Sequence, residues 1–150
     1  MGQSLAQNYL HIVFSTKHRK PWIKKPFEAS LHKYLAVVCQ DKNSPSIAVG
    51  GHPDHVHILC RLSPRIALSD FMQKIKSNSS RWVKDLDSSL ADFAWQDGYA
   101  AFSISSGAVE SVREYVLNQE EHHKHVDYRT EIISLLEENG VEYDERYFWD

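Results

Sequence analysis

Along the whole chain, stretches whose apolar residues alternate with period two are interleaved with stretches whose apolar residues recur at helical spacing. No other feature restricts the fold as much. Tyr9 to Ser15 reads as a strand, with Leu10, Ile12 and Phe14 on one face and Tyr9, His11 and Val13 on the other. Phe27 to Cys39, after Pro26, reads as a helix in which Phe27, Leu31, Tyr34, Leu35 and Val38 share a face. Ser46 to Val49 is a short strand ending at Gly50-Gly51, and His55 to Leu62 is another. The spacing then predicts a helix capped by Ser69 and running to about Leu86, and a strand over Tyr99 to Ser105. Ser106-Gly107 opens a helix through about His123, and Thr130 opens one that stops at Asn139-Gly140.

The order β-α-β-β-α-β-α-α, with no linker, repeat or low-complexity stretch, predicts one α+β domain over 1–150. It resembles an elaborated ferredoxin-like, RRM-like sandwich: a mainly antiparallel sheet with helices packed on one face. At 150 residues the chain is too short for a TIM barrel or a two-domain dinucleotide enzyme. A domain of this size buries roughly two thirds of its unfolded surface, so any metal it takes serves function before stability. Cys39 and Cys60 form no C-x-x-C pair, which fits a reducing, cytoplasmic setting. No charged leader precedes an apolar run, and no apolar run approaches a membrane span.

Net charge is −3, yet its distribution is uneven. Residues 1–75 hold ten Lys/Arg and four Asp/Glu (10 − 4 = +6), whereas residues 76–150 hold seven and sixteen (7 − 16 = −9). Lys17, Arg19, Lys20, Lys24 and Lys25 cluster around Trp22, a combination that on composition alone reads first as a solvated loop and otherwise as a surface for phosphates and a stacked base.

Two constellations carry chemistry. In a strand His55 and His57 point the same way, about 7 Å apart along the chain, while Val56 and Ile58 turn to the core. The pair fits a half-exposed strand or two ligands of one cation. Tyr115 and Gln119 stand at i and i+4, hence on one helix face beside the stripe Val109, Val112 and Val116. They are either an edge tyrosine with a surface amide or two members of one site. His122, His123 and His125, among charged neighbours, read as a solvated helix end from which His122 or His123 can reach the same site, and His52 reads as a turn residue.

Asp54-His55-Val56-His57-Ile58-Leu59 followed by Val112-Arg113-Glu114-Tyr115-Val116-Leu117-Asn118-Gln119 resembles the small insertion-sequence transposases of the HUH class with a single catalytic tyrosine. The resemblance extends to His11 to Lys17, to Lys76 with Ser79 to Trp82, to Phe93 to Tyr99 and to Asp144 to Trp149. It implies Tyr115 as nucleophile, His55, His57 and Gln119 as ligands of Mg²⁺ or Mn²⁺, and a 5′-phosphotyrosine intermediate on single-stranded DNA with hairpin ends. A neutral ligand set leaves the full charge of the cation facing the phosphate, and a phenol is both an easier nucleophile and a better leaving group than an aliphatic alcohol.

The resemblance further implies a homodimer in which the helix bearing Tyr115 and Gln119 completes either its own site or its partner's, with hinges at Ser105-Ser106-Gly107 and His125-Val126-Asp127. Lys17, Arg19, Lys20, Lys74, Lys76 and Arg81 are expected to meet phosphates on the side of the sheet that offers the metal, with the acidic half turned away. Two other readings stand beside this one. A domesticated nucleic-acid-binding protein keeps the basic surface and can dispense with Tyr115; a small metal hydrolase needs no phenol.

Overall fold

In a computed structural model, which describes residues 2–149, four strands form one antiparallel sheet: β1 (Tyr9–Ser15), β2 (Ser46–His52), β3 (His55–Arg61) and β4 (Ala100–Ile104). Their spatial order is β2-β3-β1-β4, the order a ferredoxin-like sandwich requires. β1 is central, paired with β3 so that Val13 faces His57 and Ser15 faces His55, and with β4 so that His11 faces Phe102.

One face carries the two long helices, α1 (Lys25–Asp41) and α2 (Leu68–Leu86). The period-two reading of β1 holds here: Leu10, Ile12 and Phe14, with Val56, Ile58 and Cys60 of β3, bury against Leu31, Leu35 and Val38 of α1 and Phe71, Met72 and Ile75 of α2. Tyr34 stacks on Trp82 with ring centroids 5.2 Å apart, joining the two helices. The buried Trp95 indole donates to Ser79 Oγ at 2.9 Å, so this polar pair is satisfied inside the core.

Helices cover the second face as well, which extends the one-faced arrangement expected from sequence. These are α3 (Val109–Leu117), the single turn α4 (Gln119–His122) and α5 (Tyr128–Glu138); α6 (Glu145–Phe148) follows. α3 packs Val109, Val112 and Val116 on Ala48 and Leu59, and α5 packs Tyr128, Ile132 and Leu136 on Val13, Ala100 and Phe102. The physical reason is visible in β1, whose alternate residues His11 and Val13 are as buried as Leu10 and Ile12. A central strand buried on both faces needs cover on both.

Boundaries differ in several places. Ser69 does not cap α2, which starts at Leu68 after Ala67 without a side-chain cap. The helix expected to run to His123 breaks at Asn118 (φ −102°, ψ 24°), so Tyr115 and Gln119 belong to successive helices. α5 starts at Tyr128, two residues before Thr130, because Asp127 caps it by accepting from the Thr130 amide. β2 runs through Gly50-Gly51 to His52. Gly50 is required there: a Cβ would lie 2.0 Å from the Val116 carbonyl oxygen, so only hydrogen lets α3 sit this close. Among the described residues no helix is long and apolar enough to cross a membrane.

Candidate active site

The site begins at the β2–β3 hairpin. His52 pairs with His55 across a two-residue loop of Pro53 and Asp54, so His55 is the first residue of β3. The Thr16 amide donates to the Asp54 carbonyl at 2.9 Å and the Ile23 amide to the Pro53 carbonyl at 3.0 Å, which ties the loop to the end of β1. His55 and His57 are fully buried on the face of Val13, while Val56 and Ile58 fill the opposite core, as strand alternation predicts.

α4 and α5 bring donors above the two imidazoles. Gln119 Oε1 lies 3.1 Å from His55 Nε2. Glu131 Oε1 of α5 lies 3.1 Å from His57 Nε2 and 3.4 Å from His55 Nε2. His123 Nε2 stands 2.9 Å from Gln119 Oε1 and 3.2 Å from Glu131 Oε1. Glu131 Oε2 accepts a hydrogen bond from the Tyr115 hydroxyl, and His122 Nε2 lies 3.1 Å from the same oxygen. Behind the imidazoles, Asp54 Oδ1 is 2.7 Å from His55 Nδ1 and His11 Nε2 is 2.8 Å from His57 Nδ1. Tyr128 stacks on His55 with centroids 4.4 Å apart.

His55, His57, Tyr115 and Gln119 are thus brought together within one chain. Three further members join them: Glu131 and His52 lie outside the set read from sequence, and His123 takes up the reach that the sequence allowed it. Glu131 falls among Tyr128, Ile132 and Leu136 on the buried stripe of α5, and a lone carboxylate in an apolar stripe is a signal of a partnered charge. His123 is i+4 from Gln119, the same spacing that links Gln119 to Tyr115; its side chain is 2% exposed, so it is no solvated helix end. His52, expected in a turn, ends β2 and stacks on His123 with centroids 4.9 Å apart.

The basic residues divide. Lys17, Arg19 and Lys20 follow β1 at the edge of the site, where Arg19 lies over the Trp149 ring at 5.3 Å and Lys20 over Trp22 at 4.2 Å. His18 (φ 58°) and Arg19 (φ 56°) are both left-handed, a conformation that costs roughly 1–2 kcal/mol per residue and that concentrates at functional loops. Lys74, Lys76 and Arg81 sit on α2, across the sheet from the imidazoles, so the expectation that all six share the metal side is corrected. The reason is the helix order: α2 belongs to the first layer and the site to the second. Lys76 is also committed locally, donating to the carbonyls of Gln96 at 2.8 Å and Asp97 at 3.1 Å, and burial lowers its pKa to about 8. The acidic half does not turn away either, since α4 and α5 close the site.

Charge in the cluster is set by burial and by its neighbours. Burial would lower the His55 pKa, but Asp54 and Glu131 outweigh it and raise it to about 9. Burial lowers His57 to about 4 and His11 to about 3, which keeps both neutral. Glu131, which burial alone would raise, is held well below the usual carboxylate range by the surrounding imidazoles. Burial and the adjacent Glu131 push the Tyr115 phenol up. Perturbations of this kind concentrate where a protein does chemistry.

A divalent cation fits this donor set. Each imidazole turns Nε2 inward and has Nδ1 fixed by a partner, the usual outer support of a ligating histidine, and His55, His57 and Glu131 offer ligand atoms within 4.8 Å of one another.

Comparison with known proteins agrees with the geometry. Residues 4–119 match the family described as "Transposase IS200 like". The transposase for insertion sequence element IS200 of Salmonella typhimurium is 25% identical over 120 residues, 76% of this chain and 78% of that protein. The ISDra2 transposase TnpA of Deinococcus radiodurans is 22% identical over 114 residues, 73% of this chain and 81% of that one. Among solved structures, a Deinococcus radiodurans R1 protein classed as a transposase superposes with a TM-score of 0.63 at 20% identity, covering 79% of this chain and 96% of that one. A REP-associated tyrosine transposase bound to a REP hairpin gives 0.61 at 15% identity, covering 84% and 74%. With a phenol, two strand imidazoles and a carboxamide gathered on this sheet, and with the match running over more than three quarters of its length, the chain belongs to the IS200-like transposase family.

Proposed function

We propose that the protein cleaves and rejoins single-stranded DNA at hairpin-marked ends, with Tyr115 as nucleophile and His55, His57 and Gln119 as metal ligands. The observation that carries this reading is the meeting of the Tyr115 hydroxyl with the two imidazoles at one carboxylate, Glu131, which sets the nucleophile beside the cation donors. A divalent cation, Mg²⁺ or Mn²⁺ on the family's pattern, supplies Lewis-acid stabilisation of charge at the scissile phosphate.

In the cleavage step a bond forms between Tyr115 Oη and phosphorus, and the bond from phosphorus to the 3′ oxygen breaks. Glu131 Oε2 accepts the Tyr115 hydrogen bond and orients the hydroxyl; the phenol proton passes to solvent as the bond to phosphorus forms, and the departing oxygen takes a proton from water to leave as a 3′ hydroxyl. Attack by a 3′ hydroxyl on the phosphotyrosine reverses the step and rejoins the strand without ATP. Lys17, Arg19 and Lys20 meet phosphates at the edge of the site, and Lys74 and Arg81 offer a second basic strip on α2 for a hairpin stem; Lys76 braces the turn after Trp95.

Incubation of the protein with labelled single-stranded DNA carrying hairpins from the flanks of its gene, plus Mg²⁺ or Mn²⁺, should yield a covalent adduct. Tyr115→Phe should abolish the adduct and leave fold and hairpin binding intact. Hairpin binding by the wild-type chain without adduct would favour the non-catalytic binding protein instead.

Two DNA ends need two nucleophiles, which a homodimer supplies from one sequence. The distance of 3.1 Å from His55 to Gln119 of the same chain supports a site closed within each chain. Mixing Tyr115→Phe chains with His55→Ala/His57→Ala chains should then recover no activity, whereas recovered activity would mean that sites are shared.

A further inference from the structure

We infer that His122 is a further catalytic residue: its imidazole donates a hydrogen bond to a non-bridging oxygen of the scissile phosphate, on the side of the Tyr115 hydroxyl away from the cation. The inference rests on the reading of Tyr115 as nucleophile given above. His122 lies beyond Gln119, the last residue of the family match.

The first observation is an unused ring nitrogen. The Nε2 atoms of His55, His57 and His123 all have oxygen partners within hydrogen-bond reach. His122 Nε2 is buried yet makes no hydrogen bond among the described residues; it lies 3.1 Å from Glu131 Oε2 but is turned off the line of a bond. Leaving a buried nitrogen unpaired costs free energy, and beside a nucleophile the group that repays it is the substrate.

The second is position. The carboxylate of Glu131 divides the site, with Oε1 toward His55, His57 and His123 and Oε2 toward the Tyr115 hydroxyl and His122. The Tyr115 ring meets both sides edge to face, with centroids 5.7 Å from His57 and 5.3 Å from His122. In an in-line displacement the non-bridging oxygens stand around the axis from attacking to leaving oxygen. A cation on the His57 side neutralises one of them. His122 Nε2 is the donor on the Oε2 side that takes another, and it keeps its own proton.

The third is access. A cavity of about 720 Å³ runs along α3 and α4 and is lined by Glu114, Tyr115, Asn118, Glu121, His122 and His125. A smaller one of about 260 Å³ against α5 is also lined by Tyr115, His122 and Glu131. Both touch the phenol and His122, and neither is lined by His55 or His57. With Glu114 and Glu121 in the same wall, a phosphate is held there only by hydrogen-bond donors, and His122 is the imidazole of that wall whose ring meets Tyr115.

The test is the rate of adduct formation at saturating Mn²⁺ on single-stranded DNA from the flanks of the gene, compared with the same DNA carrying sulfur at either non-bridging oxygen of the scissile phosphate. His122→Ala should slow the all-oxygen reaction about a hundredfold with an unchanged urea midpoint, and His122→Gln, which keeps an N–H donor, should recover part of the loss. Sulfur accepts hydrogen bonds poorly. One of the two sulfur forms should therefore slow the wild type and leave His122→Ala no slower than oxygen does.

Wild-type rate in His122→Ala, or the same sulfur effects in both proteins, would overturn this role while loss of adduct in Tyr115→Phe keeps the nucleophile in place. Recovery of the His122→Ala rate on raising Mn²⁺ would also overturn it, assigning His122 to a cation with His123 and Glu131. An adduct in Tyr115→Phe, or none in the wild type, would overturn the nucleophile and the role of His122 with it.

Discussion

Histidines do three different jobs in this chain, and the atoms around each ring separate them. His55, His57 and His123 turn Nε2 to the oxygens of Gln119 and Glu131; His11 stands behind His57 and fixes its ring. His32 of α1, remote from the site, has a buried Nε2 with no hydrogen-bond partner among the described residues. Burial lowers its pKa to about 4. The folded chain therefore holds it neutral, while the unfolded chain takes up a proton below about 6.5. Stability should be at its full value above that pH and fall as pH drops from about 6.5 to about 4, with His32 contributing up to about 3 kcal/mol of the loss. Denaturant titrations across this window should show a shallower slope for His32→Leu than for the wild type. His11 and His57 titrate in the same direction, so part of the slope persists in the variant.

At the scale of elements, the contact between β2 and α3 governs the site. Gly50 gives α3 its close seat, and Val116, which meets it, is adjacent to Tyr115. Gly50→Ala should cost about 1–3 kcal/mol, because backbone must move to admit the methyl group. Its effect on adduct formation should be larger, roughly a hundredfold, since a shift of about 1 Å in a reacting group suffices for that. Urea unfolding and adduct yield, measured on the same preparation, would show whether the two losses differ.

The same contact explains what the sequence could and could not disclose. Alternation within β3 places His55 and His57 on one face, and i, i+4 spacing places Gln119 near Tyr115, because both relations are internal to a local stretch of backbone. His123 follows Gln119 by the same i, i+4 spacing, and Glu131 shows in the apolar stripe of α5 as a carboxylate that needs a partner. Which partner Glu131 meets is decided by the docking of α5, and docking depends on shape matching between distant surfaces that periodicity does not carry. The expectation that Lys74, Lys76 and Arg81 lie beside the imidazoles fails for the same reason: charge alone does not say which layer a helix joins.

For the whole molecule, the closing of the second face by α4 and α5 has a consequence for the order of events. Residues 76–150 carry sixteen of the chain's twenty carboxylates, and one of them, Glu131, stands between the nucleophile and the imidazoles. A polyanion approaching that face meets like charge until a cation neutralises it, whereas a small cation is drawn inward. Loading should therefore be sequential, with the ion entering first and the strand following. Association of a single-stranded oligonucleotide, followed by stopped-flow fluorescence, should be faster for metal-loaded than for stripped protein, and Glu131→Gln should narrow that difference. Equal rates in the loaded and stripped forms would show that the two arrive independently. On this account the acidity of the second half of the chain works as a gate, one that rations nucleophile exposure to molecules already charged with metal.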